Sequence, residues 1–216
     1  MTVGTGDTVR VGVMLSGRGS NFEALLRKQE SGYFQRARIV CVVSDNPGAR
    51  GLEIARSRGL PAFSIDPRAH AGKAAFETEI AGVLARHGVE MVVLAGYMRI
   101  VGRVLLERFP GRILNIHPSL LPSFPGLHAQ RQALEHGVRV TGCTVHFVDA
   151  GMDTGPIIGQ RVVPVHPDDT EETLAARILE QEHELYAECL KRVTEEPYEI
   201  RGRTVVFGPR PTEGAA

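Results

Sequence analysis

Asn115 and His117 stand two residues apart, where the apolar run that includes Ile116 gives way to a loop with prolines at 118, 122 and 125. In a strand, residues i and i+2 project to the same face. The pair would then offer one neutral amide donor and one titratable imidazole to a single point. Those groups suit stabilisation of an oxyanion and movement of a proton. The bland alternative is an Asn–His pair that only satisfies backbone groups of the loop. Each proline fixes its own φ and restricts the residue before it, so the loop is expected to be stiff.

Ser16-Gly17-Arg18-Gly19-Ser20-Asn21 lies between a β-branched run and a helical pattern. Glycines let the backbone turn with its N–H groups exposed, and a helix N-terminus adds partial positive charge, so a phosphate fits there. A dinucleotide fingerprint needs a third small residue where Phe22 stands, and no Gly-Lys-Ser/Thr follows. The segment is a monophosphate nest or an ordinary tight turn. Asp149 and Asp153 lie in a glycine-punctuated loop that is either a solvated turn or a carboxylate set against His117, favouring imidazolium and orienting the ring. His146, within Val145-His-Phe-Val148, reads as a satisfied histidine of the core or one standing behind the site. The remaining histidines are scattered. His183-Glu184 is followed by Leu, Tyr and Ala, so it lacks zinc-protease spacing, and no metal is expected. Glu171-Glu172 and Glu195-Glu196 read as solvated helix faces.

The elements that must position these groups follow from hydrophobic periodicity. Residues 9–15 form a strand, 16–21 a glycine turn, and Phe22, Leu25 and Leu26 begin a helix. The order repeats with a strand at 37–43 and a helix at 49–57, a strand at 61–65 and a helix at 72–87, then strands at 90–95 and 111–116. Near-continuous aliphatic strands separated by helices predict an α/β fold: a Rossmann-like, mostly parallel sheet covered on both faces. Residues 138–148 and 155–165 read as longer strands joined only by a turn, making the later sheet partly antiparallel. A helix spans 170–192, capped by Asp169 or Thr170, and residues 199–207 form a hairpin around Gly202. Residues 1–7 and 211–216 are expected to fray.

A chain of 216 residues with no linker, repeat or low-complexity tract predicts a single domain, split into a phosphate-binding half (about 9–115) and a catalytic half (about 115–210). Lys plus Arg equals Asp plus Glu at 25 each, with no block of like charge, which disfavours a nucleic-acid partner. Cys41, Cys143 and Cys189 are odd in number and far apart, so no disulfide framework is expected. No signal peptide or run long enough to span a bilayer is visible, so the expected setting is cytoplasmic, without a membrane partner.

The segment Asn115-Ile-His117-Pro-Ser-Leu-Leu-Pro122 resembles the signature of the folate-dependent formyltransferases. Further segments agree in order and spacing: Ser16 to Asn21, Ala95-Gly-Tyr-Met-Arg-Ile100, Phe124-Pro-Gly-Leu-His128, His146-Phe-Val, Asp153-x-Gly-Pro156 and Gln181-Glu-His183. Together they are similar to the members that formylate 5-phosphoribosyl-glycinamide in purine synthesis. The resemblance implies 10-formyltetrahydrofolate as co-substrate and a small-molecule enzyme that is a monomer or homodimer. It implies that Gly17, Arg18, Gly19, Ser20 and Asn21 hold the phosphate and that Glu182 binds the ribose hydroxyls. Met98, Arg99, Ile100, Val101, Asn115, Asp149, Ala150, Gly151, Met152 and Asp153 would line the folate pocket, many through backbone groups. Lys73 falls where the family often has an Arg near the folate tail, which keeps the charge but not a bidentate clamp. Leu179 falls where a polar residue often helps bind the phosphoribosyl group. Asn115 and His117 would stabilise the oxyanion on the formyl oxygen, with Asp153 keeping His117 charged and helping the amine proton to leave.

Three alternatives are set against this reading. Methionyl-tRNA formyltransferase is expected to carry a further C-terminal domain and a basic surface, and formyltetrahydrofolate hydrolase an N-terminal regulatory domain. A non-catalytic Rossmann-type module explains Gly17 and Gly19 but not Asn115, His117 and Asp153.

Overall fold

The computed structural model describes residues 8–208, so the fraying expected at 1–7 and 211–216 lies outside the described residues. β1 (Val9–Leu15), α1 (Ser20–Glu30), β2 (Ala37–Ser44), α2 (Arg50–Ser57) and β3 (Ala62–Ser64) open the chain. α3 (Lys73–Arg86), β4 (Met91–Leu94), α4 (Arg103–Arg108), β5 (Ile113–His117) and α5 (Ala129–Glu135) follow. β6 (Val140–Phe147), β7 (Ile157–Pro164), α6 (Glu171–Glu195), β8 (Tyr198–Arg201) and β9 (Thr204–Phe207) complete it.

The nine strands of the described residues form one sheet in the order β3-β2-β1-β4-β5-β6-β7-β9-β8. β1 to β5 pair in parallel, and β6 is antiparallel to both β5 and β7. β9 pairs parallel with β7 and antiparallel with β8. This is the α/β architecture that the strand and helix periodicity predicts.

Strand alternation divides the core between two faces. Val11, Val13 and Leu15 of β1 and Val93 of β4 pack with Phe22, Leu25, Leu52, Ile178 and Leu190 from α1, α2 and α6. Met14, Val92, Leu94 and Ile113 turn the other way, against Phe76, Ile80, Leu84 and Leu105 from α3 and α4. Each such fully buried apolar side chain contributes about 1.5–3 kcal/mol. On β5 the second face begins with Ile113 and continues with Asn115 and His117, so the strand's polar positions extend an apolar stripe beyond the helices that cover it.

Two elements escape the sequence pattern. α4 and α5 have six and seven residues and bury only Leu105, and only Ala129 and Ala133, too little repetition for a 3.6-residue period to show. α6 continues three residues past the expected 192, and Thr170, not Asp169, caps it in a reciprocal pair with Thr173. Asp169 instead binds Arg177, whose Nη1 also donates to the Pro164 carbonyl. The Tyr186 hydroxyl of α6 lies fully buried between the carbonyls of Leu94 (2.9 Å) and Leu114 (3.0 Å), fixing the long helix to the C-terminal end of β4 and to the start of β5.

Candidate active site

The C-terminal ends of β1, β4 and β5 open into a cleft of about 1040 Å³, the usual place for a ligand in an open α/β sheet. Asn115 and His117 both line it, as their shared strand face requires. The antiparallel register sets Asn115 directly opposite His146 and His117 opposite Thr144. His146 therefore enters the site from the neighbouring strand, with its Nε2 3.3 Å from Asn115 Nδ2.

The two imidazoles are held by opposite ring nitrogens. His117 Nε2 lies 2.8 Å from the Phe124 carbonyl, which leaves Nδ1 facing Asp153 Oδ2 at 3.4 Å. His146 Nδ1 lies 2.9 Å from the Phe147 carbonyl. A proton on that nitrogen makes Nε2 the acceptor of an N–H from Asn115, which turns the amide's second N–H free for another partner. Burial pushes the His146 pKa below its ordinary value, against smaller upward effects of the Phe147 carbonyl and Asp153, in keeping with a neutral ring. Asp153 Oδ1 is 3.7 Å from His146 Nε2, too long for a hydrogen bond, and Oδ2 accepts the Gly126 N–H at 2.8 Å.

Among the described residues, three hold left-handed backbone here without being glycine: Phe124 (φ 53), His128 (φ 58) and Asp153 (φ 54). For a bulky residue such as Phe this is costly, and it is found where the surroundings over-determine it. Its ring packs on His136 and its carbonyl takes both His117 and, at 3.3 Å, the Ser119 hydroxyl. The loop after β5 is also stitched to β6 and β7, beyond what its prolines do. Thr144 Oγ1 donates to the Ser119 carbonyl and accepts from Leu121 N–H, and Gln160 Nε2 donates to the Leu121 carbonyl. Asp149 closes its own turn, accepting from Gly151 N–H (3.0 Å) and Thr154 Oγ1 (2.6 Å), so its carboxylate is a scaffold for the loop.

At the other end of the cleft stand Gly17, Arg18, Gly19, Ser20 and Asn21. Gly19 is the N-cap of α1 at φ 75, and no side chain caps the helix, so its first amides remain open towards the cleft. Asn21 Nδ2 donates to Glu182 Oε2 at 2.8 Å, while Asn21 Oδ1 is buried without a hydrogen-bond partner. Glu182 is itself almost fully buried, which pushes its pKa up, and the Asn21 bond offsets this only in part. Leu179, Glu171 and Glu172 line the same cleft. Glu171 is not simply a solvated face, because it binds Arg131 at 3.0 Å and lies 3.8 Å from His128.

Of the residues expected near a folate, Met98, Arg99, Ile100, Val101, Asp149, Gly151, Met152 and Asp153 line the cleft, whereas Ala150 and Lys73 do not. Lys73 lines an adjoining cavity of about 430 Å³ that shares Tyr97, Met98, Arg99 and Ile100 with the main one. His146 stands behind Asn115, one of the two places its apolar context allows, whereas no motif in the sequence singles out Tyr186, which ties α6 to the strands beneath the site. Among the described residues, no group of three or more His, Cys, Asp or Glu is placed to hold a metal ion, and no helix is long and apolar enough to cross a membrane.

An α/β sheet with an Asn–His–Asp cluster over one strand end and an open helix N-terminus over another is the architecture of a known family. The chain belongs to the formyl transferase family, whose model matches residues 9–190. It is 46% identical over 183 residues to the phosphoribosylglycinamide formyltransferase of Bacillus subtilis (strain 168), covering 84% of this chain and 92% of that protein. Over 182 residues it is 43% identical to the trifunctional purine biosynthetic protein adenosine-3 of Drosophila melanogaster, 84% of this chain but only 14% of that much longer protein. The crystal structure of glycinamide ribonucleotide transformylase 1 from Symbiobacterium toebii superposes with a TM-score of 0.92 at 51% identity, covering 94% of this chain and 95% of that one.

Proposed function

We propose that this protein transfers the formyl group of 10-formyltetrahydrofolate to the amine of 5-phosphoribosyl-glycinamide, a step of purine biosynthesis. The observation that carries the reading is the convergence of Asn115, His117 and Asp153 on one end of a cleft whose other end is the residue 17–21 turn. The family membership and the 46% identity to a phosphoribosylglycinamide formyltransferase support it. One domain does the work, with a phosphate-binding half up to about residue 115 and a catalytic, folate-binding half after it, and the cytoplasm is its compartment.

In this mechanism the open amides of residues 17–21 take the phosphate. Glu182 and the unpartnered Asn21 Oδ1 are acceptors for the ribose hydroxyls, and both are buried, so a hydroxyl donor relieves an otherwise costly pair. The folate head lies along the backbone of residues 98–101 and 149–153, with Lys73 near its tail. As the amine attacks the formyl carbon, charge gathers on the formyl oxygen. Asn115 meets it with the N–H that His146 leaves free, and a protonated His117 meets it through Nδ1. Each such donor is worth on the order of 10²–10³ in rate. A carbon–nitrogen bond to the amine forms, the bond to the folate nitrogen breaks, and the amine proton passes to that nitrogen with Asp153 as relay. Holding both substrates in one cleft supplies much of the remaining acceleration.

Incubating the protein with 10-formyltetrahydrofolate, with and without the phosphoribosyl amine, tests the reading. Deformylation that requires the amine is expected. Equal deformylation without it indicates a hydrolase, and none in either case indicates a binding module.

A further inference from the structure

Ser16 is the last residue before the phosphate-binding turn, yet its hydroxyl serves another loop. Its Oγ accepts the Met98 N–H at 2.9 Å. Its own N–H donates to the Gly96 carbonyl at 3.0 Å, and its carbonyl accepts from Asn46 Nδ2 at 3.1 Å. The loops that follow β1, β2 and β4, three adjacent parallel strands, are thus tied together at one residue. The β4 loop is also pinned at two later points. Arg99 Nε donates to Asp45 Oδ2 at 2.7 Å, and the Gly102 N–H donates to Glu77 Oε1 at 2.5 Å. Glu77 is buried, and a Cβ on Gly102 would fall 2.7 Å from either carboxylate oxygen, so the carboxylate is seated on the backbone itself. Arg99 and Gly102 therefore fix the far part of the loop, while its near part, Gly96 to Met98, depends on Ser16.

We propose that Ser16 is a positioning residue for the folate, acting from within the phosphate-binding segment by holding the Met98 amide in place. The inference rests on the reading that residues 98–101 line the folate part of the cleft. Replacing Ser16 with Ala removes only Oγ. The backbone bonds to Gly96 and Asn46 persist, so the turn at residues 17–21 keeps its shape and only the Met98 N–H loses its acceptor. A residue beside the phosphate would then be felt at the other substrate.

Steady-state kinetics with each substrate varied in turn gives the test, together with hydrogen exchange at the Met98 amide. For Ser16→Ala the expected result is a roughly threefold to tenfold rise in KM for 10-formyltetrahydrofolate, the size of one hydrogen bond lost in an exposed loop. KM for the phosphoribosyl amine and kcat should move far less, and the Met98 amide should exchange faster. Ser16→Thr, which retains an acceptor oxygen, should recover the folate KM. The proposal is overturned if the amine KM rises instead, if Met98 exchange is unchanged, or if Thr behaves as Ala does. A wild-type protein without amine-dependent deformylation overturns the underlying functional reading, whereas a wild-type protein that turns over with Ser16→Ala shifting only the amine KM overturns this inference alone.

Discussion

At the residue 17–21 end of the cleft the polar groups are mostly backbone amides, presented by a glycine turn and an uncapped helix. At the Asn115 end they are side chains, and backbone carbonyls serve only to orient them: Phe124 O for His117 and Phe147 O for His146. The difference separates two tasks. A phosphate carries its charge before, during and after the reaction, so fixed dipoles suffice to bind it. Charge that appears only in the transition state needs donors placed where it will develop. Damage at the first end should raise KM, and damage at the second should lower kcat.

The largest effects are expected at the side-chain end. His117→Ala and Asp153→Asn should each cut kcat by at least about 10² with the fold intact, the loss of one well-placed donor or its partner. Asn115→Asp should be more severe, because it sets a like charge beside the developing oxyanion. Circular dichroism establishes the fold and single-turnover rates the loss. Turnover near wild type in the His117 or Asp153 variant would remove the basis for assigning chemistry to this end.

Gly19→Ala tests the other end. Gly19 sits at φ 75, and a Cβ there would lie 2.8 Å from the Gly51 Cα, a backbone atom that cannot swing aside. The strain amounts to about 1–3 kcal/mol. It should appear as a lower melting temperature and a KM for the phosphoribosyl amine raised by roughly tenfold or more, since misplaced amides bind the phosphate less well. A loss confined to kcat would erase the distinction between the two ends.

The two ends also differ in how far the sequence discloses them. The turn at residues 16–21 and the 115/117 spacing are local features, and a period of two places Asn115 and His117 on one face without further help. His146 is brought against Asn115 by the register of two antiparallel strands whose partners are 31 residues apart. That register depends on the intervening loop and on α5, which is too short to leave a periodic trace. Phe124 has no glycine or asparagine to announce its left-handed backbone. The Ser16–Met98 bond joins loops 82 residues apart that only the β1–β4 pairing makes neighbours. Features carried by one element were legible in the chain, and features carried by the pairing of elements were not.

A smaller effect distinguishes His146 from the residues that face the cleft. Burial lowers its pKa below the ordinary 6.5, so the unfolded chain takes up a proton that the native protein refuses. Its contribution to stability is present above about pH 6.5 and falls as the pH drops from there towards the lowered native value. Burial lowers the His183 pKa as well, so the slope has two contributors of the same sign. His146→Gln should flatten that acid-side loss in urea titrations without abolishing it. It should also lower kcat by about tenfold, less than His117→Ala, because it disturbs the aim of the Asn115 amide and leaves that donor present. An unchanged stability slope would show that the native protein protonates His146 as readily as the unfolded chain does, and that Asn115 is not held as its geometry indicates.

Glu182 gives the smallest expected change and the opposite sign. Burial raises its pKa above the ordinary 4.5, and the Asn21 bond lowers it by less, so the native protein keeps a proton that the unfolded chain has released. The associated stability is fully present below about pH 4.5 and is lost as the pH rises through the elevated native value. Glu182→Gln cannot ionise, so its stability relative to wild type should increase over that interval and then level off. The same substitution replaces one acceptor for a ribose hydroxyl with a neutral one and should raise the KM for the phosphoribosyl amine several-fold while kcat holds. The stabilising and weakening effects thus come from one carboxylate: it is costly to bury and useful only when a hydroxyl meets it. A stability difference between Glu182→Gln and wild type that stayed flat from pH 4 to pH 8 would place the ionised carboxylate in adequate company without substrate, and would remove its reason to prefer a ribose.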